Sequence, residues 1–409
     1  MSLALLVLLL VFLGIALRQV FRIPLKIWQI MGAGAVLVLF TGKISLVSAW
    51  ASIDWSIIFF LLGMFVLGQA LEESGYLSEF VARFLGSQCS PRKLVAIIVF
   101  GMGFFSAILM NDTLAIIGTP ILLKVAHHRG VKTHPLLLGL AFAITIGSVL
   151  SPIGNPQNLF IALEGEIHAP FVTFLTYLAV PTLVNLVLLY FFILFLIRKE
   201  SPVIEEREER LPYNRRLMVF SLFAIGMVLV MILYNIVASF FPFFSIPLPW
   251  IALVPALFLI LFAPKRKEIL TQLDWHTLIF FIAMFILMRS VWETSTLKDF
   301  MMHAAKDPAG IMGISALVSQ LISNVPLVAL YLPVLKAEAP QMVSYMALAA
   351  GSTIAGNFLI FGAASNLIII QNAEKRGEKG ISFFEFALYG IPLTLLNLVI
   401  YWAFLTQIT

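Results

Sequence analysis

Apolar runs approaching the ~20 residues needed to cross a bilayer recur from one end of this chain to the other. Two examples are IIFFLLGMFVLGQAL at 57–71 and LVNLVLLYFFILFLI at 183–197. In hydrocarbon a segment must satisfy its own backbone hydrogen bonds, which an α-helix does. Composition agrees: 61% of residues are hydrophobic and 11% charged, against roughly 25% charged in soluble domains. The chain therefore reads as an all-α polytopic membrane protein with no soluble domain of any size. Residues 3–17 have no basic stretch before them and no small-residue cleavage site after them, so they read as a retained span within an N-terminal helix, 1–24.

The chain also repeats itself. Residues 54–80, DWSIIFFLLGMFVLGQALEESGYLSEF, align without a gap with residues 274–300, DWHTLIFFIAMFILMRSVWETSTLKDF; 9 of 27 positions are identical, among them Asp54/Asp274, Trp55/Trp275 and Glu73/Glu293. NDTLAIIGTP (111–120) then meets NVPLVALYLP (324–333), and GNPQNL (154–159) meets GAASNL (362–367). The repeats are expected at 25–197 and 216–409, joined by a mixed-charge linker at 198–215.

Basic residues orient them. The segments 18–26, 83–93, 124–132, 198–216, 265–267 and 375–379 hold 21 of the 26 lysines and arginines. The positive-inside rule makes them cytoplasmic, places both termini outside and yields ten crossings. The two DW helices then start on opposite sides, so the repeats are inverted. Inverted repeats mark secondary transporters whose site lies at the midplane, where broken helices meet.

Two breaks are expected in each half. Residues 94–123 lie between cytoplasmic Lys93 and Lys124; two arms of ~15 residues reach only ~22 Å at 1.5 Å per residue, short of a ~30 Å core. A re-entrant hairpin follows, with Asn111, Asp112 and Thr113 at its tip. Its counterpart is 308–335, with Ser323 and Asn324 at the tip. In the helix 136–164, Pro152, Gly154 and Pro156 prevent regular winding; Gly351, Gly356 and Gly362 do the same in 342–371. Unwound backbone at membrane depth is tolerated where it is buried in protein or lines a watery cavity. Gly154, Asn155, Pro156 and Asn158, with Asn357, Ser365 and Asn366, complete the candidate substrate and ion site. Neutral amides, hydroxyls and freed carbonyls suit an oxygen-rich ligand or Na⁺. No lysine or arginine lies in any break, which favours a weakly charged or neutral oxyacid over a multiply charged anion.

Asp112 is the ionisable member. Desolvation disfavours a bare carboxylate, so a carboxyl there suits a proton exchanged for substrate; capping of the second arm is the competing role. The basic loops explain the net charge of +5 without a nucleic-acid partner. The single Cys89 cannot form an intramolecular disulfide or a thiolate cluster. His127, His128 and His134 share a basic loop and are weak candidates for a metal, and none is assigned. Glu72 and Glu73 read as solvated, and Arg289 as snorkelling or paired with Glu293. No nucleophile–base pair or phosphate loop marks an enzyme.

At LEESGYLSEF, NDTLAIIGTPILL, SPIGNPQNL, LISNVPLV and AASNLIII the sequence resembles the ion transporter superfamily of ArsB arsenite efflux permeases, NhaD sodium/proton antiporters and sodium-coupled divalent-anion symporters. It is most similar to ArsB and the small anion permeases near it. The resemblance implies two inverted repeats of five helices, each with a re-entrant hairpin, and a midplane site built by both. It also implies a homodimer and, if ArsB-like, a soluble ATPase subunit. The sodium-coupled symporters carry Ser-Asn-Thr at both tips; here the tips read NDT and SNV, which removes a hydroxyl at Val325 and adds an acid. The expectation is proton-coupled efflux of arsenite or a related oxyacid across the plasma (inner) membrane, with H⁺ or Na⁺ as coupling ion and no cofactor. A sodium-coupled anion symporter and an NhaD-like antiporter are the alternatives.

Overall fold

The computed structural model describes every residue except 1–2, 22–24, 77–89, 130, 199–213, 242, 293–306, 338–340 and 409. Cys89, Glu293 and most of the linker lie outside the described residues. The longer helices among the described residues run in this order: α1 (Leu3–Phe21), α2 (Ile27–Phe40), α3 (Trp55–Ser74), α4 (Pro91–Leu109), α5 (Asn111–Arg129), α6 (Thr133–Ser148), α7 (Pro156–Glu164) and α8 (Pro170–Arg198). The second half follows with α9 (Arg215–Ala238), α10 (Leu248–Phe262), α11 (Trp275–Trp292), α12 (Pro308–Ile322), α13 (Asn324–Lys336), α14 (Met342–Ile354), α15 (Ala364–Lys375) and α16 (Phe383–Leu405).

The DW motifs start helices because their aspartates cap them. Asp54 Oδ1 accepts from Ser56 N and Ile57 N, and Asp274 Oδ1 from Thr277 N. α3, α4, α8, α9 and α16 are long and apolar enough to cross a membrane. α8, α9 and α16 leave Phe191, Phe195, Val230, Leu233, Leu388 and Val399 exposed, the apolar surface expected of helices that face lipid.

Packing alternates between the halves. α2 lies on α11 and α10 on α3; α5 lies on α15 and α7 on α13; α8 and α16 pack together. Within each half the first hairpin arm packs on the helix that precedes the break, α4 on α6 and α12 on α14. α1 touches α2 and α11 as α9 touches α10 and α3, so α1 stands as the counterpart of α9. Small residues permit this closeness. A Cβ on Gly147 would fall 2.0 Å from the Gly103 carbonyl oxygen, and one on Gly63 2.7 Å from the Ala252 carbonyl carbon.

The arms of the first hairpin are longer than the charges at Lys93 and Lys124 suggest. Ser90 caps the first arm by accepting from Lys93 N, with Pro91 at its first position, and the second arm runs on to Arg129. Lysine and arginine are good helix formers, so neither charge ends the helix. Each arm has 19 residues, long enough to cross by length alone. The hairpin's tip meets the break between α6 and α7. The second hairpin keeps shorter arms of 15 and 13 residues.

Candidate functional site

Both hairpins reverse on one strained residue. Met110 (φ 68°) and Ser323 (φ 73°) hold a left-handed φ without being glycine, a state that costs about 1–3 kcal/mol. They precede Asn111 and Asn324, the residues aligned between the repeats, and each asparagine opens a second arm. The first-turn N–H groups that a helix leaves without an intrahelical partner therefore lie at each tip. Asn111 N donates to the Gly154 carbonyl at 3.0 Å, joining the first tip to the first break. Asn111 Oδ1 accepts from Asp112 N at 2.9 Å, so Asn111 rather than Asp112 serves that turn.

At the first break α6 stops at Ser148 and α7 starts at Pro156, with Asn155 as its cap. Asn155 Oδ1 accepts from Asn158 N at 2.8 Å, while its Nδ2 donates to Ser148 Oγ at 3.0 Å and Thr353 Oγ1 at 3.2 Å. Asn158 Nδ2 donates to the carbonyls of Ser148 and Ser151, both at 3.1 Å. Thr353 Oγ1 donates to Asn158 Oδ1 at 3.2 Å and accepts from Gln157 Nε2 at 3.4 Å. A Cβ at Gly154 would lie 2.3 Å from the Ser148 carbonyl oxygen. The amide oxygens and nitrogens of Asn155 and Asn158 all have partners. Thr353, at the end of α14, ties this break to the other half.

The second break is built alike and paired differently. α14 ends at Ile354, two short turns follow (Ala355–Asn357 and Ile360–Gly362), and α15 begins at Ala364. Asn366 Nδ2 donates to the Gly356 carbonyl at 2.8 Å, Gln320 Nε2 to the Ala355 carbonyl at 2.9 Å, and Asn357 Nδ2 to the Phe142 carbonyl at 3.4 Å. The side-chain oxygens of Asn324, Asn357, Asn366 and Gln320, and the Ser365 hydroxyl, are buried with no partner in the protein among the described residues. For three of these amides the NH₂ group faces a carbonyl, which only accepts; the atom left over is therefore oxygen. Gln320 and Asn324 crowd the same stretch of backbone. A Cβ on Gly362 would lie 2.9 Å from Gln320 Oε1, and one on Gly356 3.6 Å from Asn324 Nδ2.

Asp112 faces elsewhere. It is half-buried and lines a cavity of about 50 Å³ with Glu72, Asp274, Gln69, Gln272 and Thr113. Gln69 Nε2 donates to Gln272 Oε1 at 3.1 Å in the same wall. Thr113 is pressed against Gly68, where a Cβ would come within 2.6 Å of its Cγ2. Glu72, expected to be solvated, is half-buried here because the end of α3 lies against α5. Glu73 is also half-buried, 3.8 Å from Lys265 Nζ, and Arg289 is exposed.

The candidate residues therefore divide. Asn111 meets Gly154, and Asn155, Asn158 and Pro156 form the first break. Asn324, Asn357, Ser365 and Asn366 surround the second, with half-buried Ser323 at the tip. Asp112 and Thr113 line the carboxyl cavity. Gln320, Thr353 and Ser148 join the site from positions that carry no motif, and Asp274 joins it from the second DW motif. Two of the loop histidines pair with glutamates across the halves: His127 Nε2 with Glu378 at 2.8 Å and His134 Nδ1 with Glu385 at 3.3 Å.

Paired hairpins, facing breaks and lipid-type helix surfaces define a polytopic helical membrane transporter, not an enzyme. The model of the family described as citrate transporter matches residues 1–90 and 80–345, and the chain belongs to that family. An uncharacterized transporter of Mycobacterium tuberculosis is 28% identical over 404 residues, covering 93% of this chain and 92% of its own. The silicon efflux transporter LSI3 of Oryza sativa subsp. japonica is 27% identical, with 88% of each chain covered. In fold the chain is similar to the crystal structure of the Alcanivorax borkumensis YdaH transporter, with a TM-score of 0.61 at 13% identity over 87% of this chain and 84% of that one.

Proposed function

We propose that this transporter exports a neutral, hydroxylated metalloid acid, arsenous acid or a close relative, in exchange for protons by alternating access. The observation that carries the reading is the wall of unpaired side-chain oxygens at the second break. A ligand that presents hydroxyl hydrogens satisfies them; a carboxylate or other anion does not. No lysine or arginine lies within 110–113, 148–158, 319–326 or 353–366 to neutralise an anion. Similarity to a silicon efflux transporter is in keeping with export of a metalloid.

Proton coupling is assigned to Asp112. Asp112, Glu72 and Asp274 face one small space, and ionised carboxylates at short range repel one another. A proton bound among them relieves that repulsion, and the Asn111–Asp112 peptide links this cavity to the hairpin tip. The ligand-bearing breaks then open to one side at a time, with the basic loops cytoplasmic and both termini outside.

The family's citrate name favours a second reading, an anion carrier coupled to Na⁺. Proteoliposomes given arsenous acid, silicic acid or citrate separate the two. Export of a metalloid acid that is indifferent to replacement of Na⁺ by choline supports the first reading. Citrate transport that requires Na⁺ supports the second and removes the first.

A further inference from the structure

We propose that Gln320 is a ligand-contacting residue, whose side-chain oxygen accepts a hydrogen from a hydroxyl of the transported acid and helps select hydrogen-donating ligands over anions. This rests on the metalloid-acid reading above. Gln320 lies near the end of α12, three residues before the strained Ser323, in a segment whose sequence gives it no distinction. Its Nε2 donates to two carbonyls at 2.9 Å, Ala316 in its own helix and Ala355 in the second break. Both donor hydrogens are thereby used. The Oε1 atom is held in one orientation, buried and without a protein partner among the described residues.

Oε1 is aimed at a built surface. It faces Gly362, where even a methyl group would come within 2.9 Å, and that same methyl would press on the Ala355 carbonyl oxygen at 2.7 Å. Asn366 holds its NH₂ on the Gly356 carbonyl next door and leaves its own oxygen unpaired; Asn324 also has an unpaired oxygen, and the atom it turns toward Gly356 is its Nδ2. A buried amide oxygen without a partner loses its hydration and gains nothing in return. Such oxygens repel negative charge and are satisfied by donors. Gly362 lets the second break pack this closely against Gln320.

Two variants separate contact from scaffolding. Gln320→Met removes the oxygen and both donors with little change in length. Gln320→Glu keeps an oxygen facing the ligand but loses the donors to Ala316 and Ala355. Binding is read as thermal stabilisation of the purified protein by arsenous acid, silicic acid, citrate, or NaCl against choline chloride. Each variant is first required to be monodisperse and to melt cooperatively. The proposal expects about tenfold weaker affinity for the metalloid acid in Gln320→Met, read as an about tenfold higher concentration needed for equal stabilisation, as for one lost hydrogen bond, and a smaller loss in Gln320→Glu. Equal losses in the two variants would make Gln320 a structural clamp, and no loss in either would remove it from the site; each overturns the proposal. If the wild type responds to Na⁺ alone and Gln320→Met abolishes that response, the contact stands and the metalloid reading falls. If the wild type responds to citrate and the Gln320→Met variant does so equally, both fall.

Discussion

Replacing Thr353 with valine tests whether the two breaks are joined as described. The hydroxyl has one donor and two acceptor sites, and all three are used, on Asn158 Oδ1, Asn155 Nδ2 and Gln157 Nε2. Valine keeps the shape of the side chain and removes the hydroxyl. Asn155 Nδ2 retains Ser148 Oγ, so it is not stranded. Asn158 Oδ1 and Gln157 Nε2 lose the one partner each has among the described residues and stay buried, at about 1–3 kcal/mol apiece. The bonds of 3.2–3.4 Å are long, which places the expected loss near the lower end, about 2–3 kcal/mol in all. Thr353→Ser keeps the hydroxyl and loses one methyl, at about 0.8 kcal/mol. The assay is thermal unfolding in detergent beside initial transport rate. Valine should melt well below wild type and transport more slowly, and serine should recover most of both. A valine variant that melts with the wild type would refute the joint. A serine variant as damaged as valine would show that the methyl, not the hydroxyl, matters.

Three further outcomes follow from close contacts. Gly147→Ala drives a Cβ into the Gly103 carbonyl and should cost about 3 kcal/mol or more, seen as poor yield of monodisperse protein; normal yield and melting would contradict the α4–α6 contact. Gly68→Ala should destabilise through Thr113, and Thr113→Ala in the same chain should recover most of the loss in a double-mutant cycle. Additive losses would mean that the two residues do not touch. Gln320→Met should raise about tenfold the ligand concentration needed for a given stabilisation while leaving the melting of the ligand-free protein within a few degrees of wild type.

Much of this fold is readable from the chain because hydrocarbon leaves few options. Apolar runs, aspartate caps and clustered prolines or glycines each report a local fact, and the aligned Asn111 and Asn324 fall at equivalent strained tips. The first hairpin's length was less legible, because Lys93 and Lys124 look like boundaries to a composition count but continue a helix. The site was legible as a set of positions and not as an arrangement. Consecutive helical residues point about 100° apart, and the single motif Asn-Asp-Thr gives the break a backbone N–H, from Asn111, and the carboxyl cavity the side chains of Asp112 and Thr113. Which asparagines are saturated and which keep a free oxygen depends on carbonyls far away in sequence. Gln320 and Thr353 gain meaning only from Ala355 and Asn158, and Glu72 from the packing of α3 on α5.

The most direct test of the central claim is arsenous acid uptake into vesicles reconstituted with the cytoplasmic face outward and an acidic interior, for wild type and Asp112→Asn. The account predicts that the gradient drives concentrative uptake by the wild type, and that Asp112→Asn still equilibrates substrate but concentrates none. Equal gradient-driven accumulation by the two proteins would contradict it.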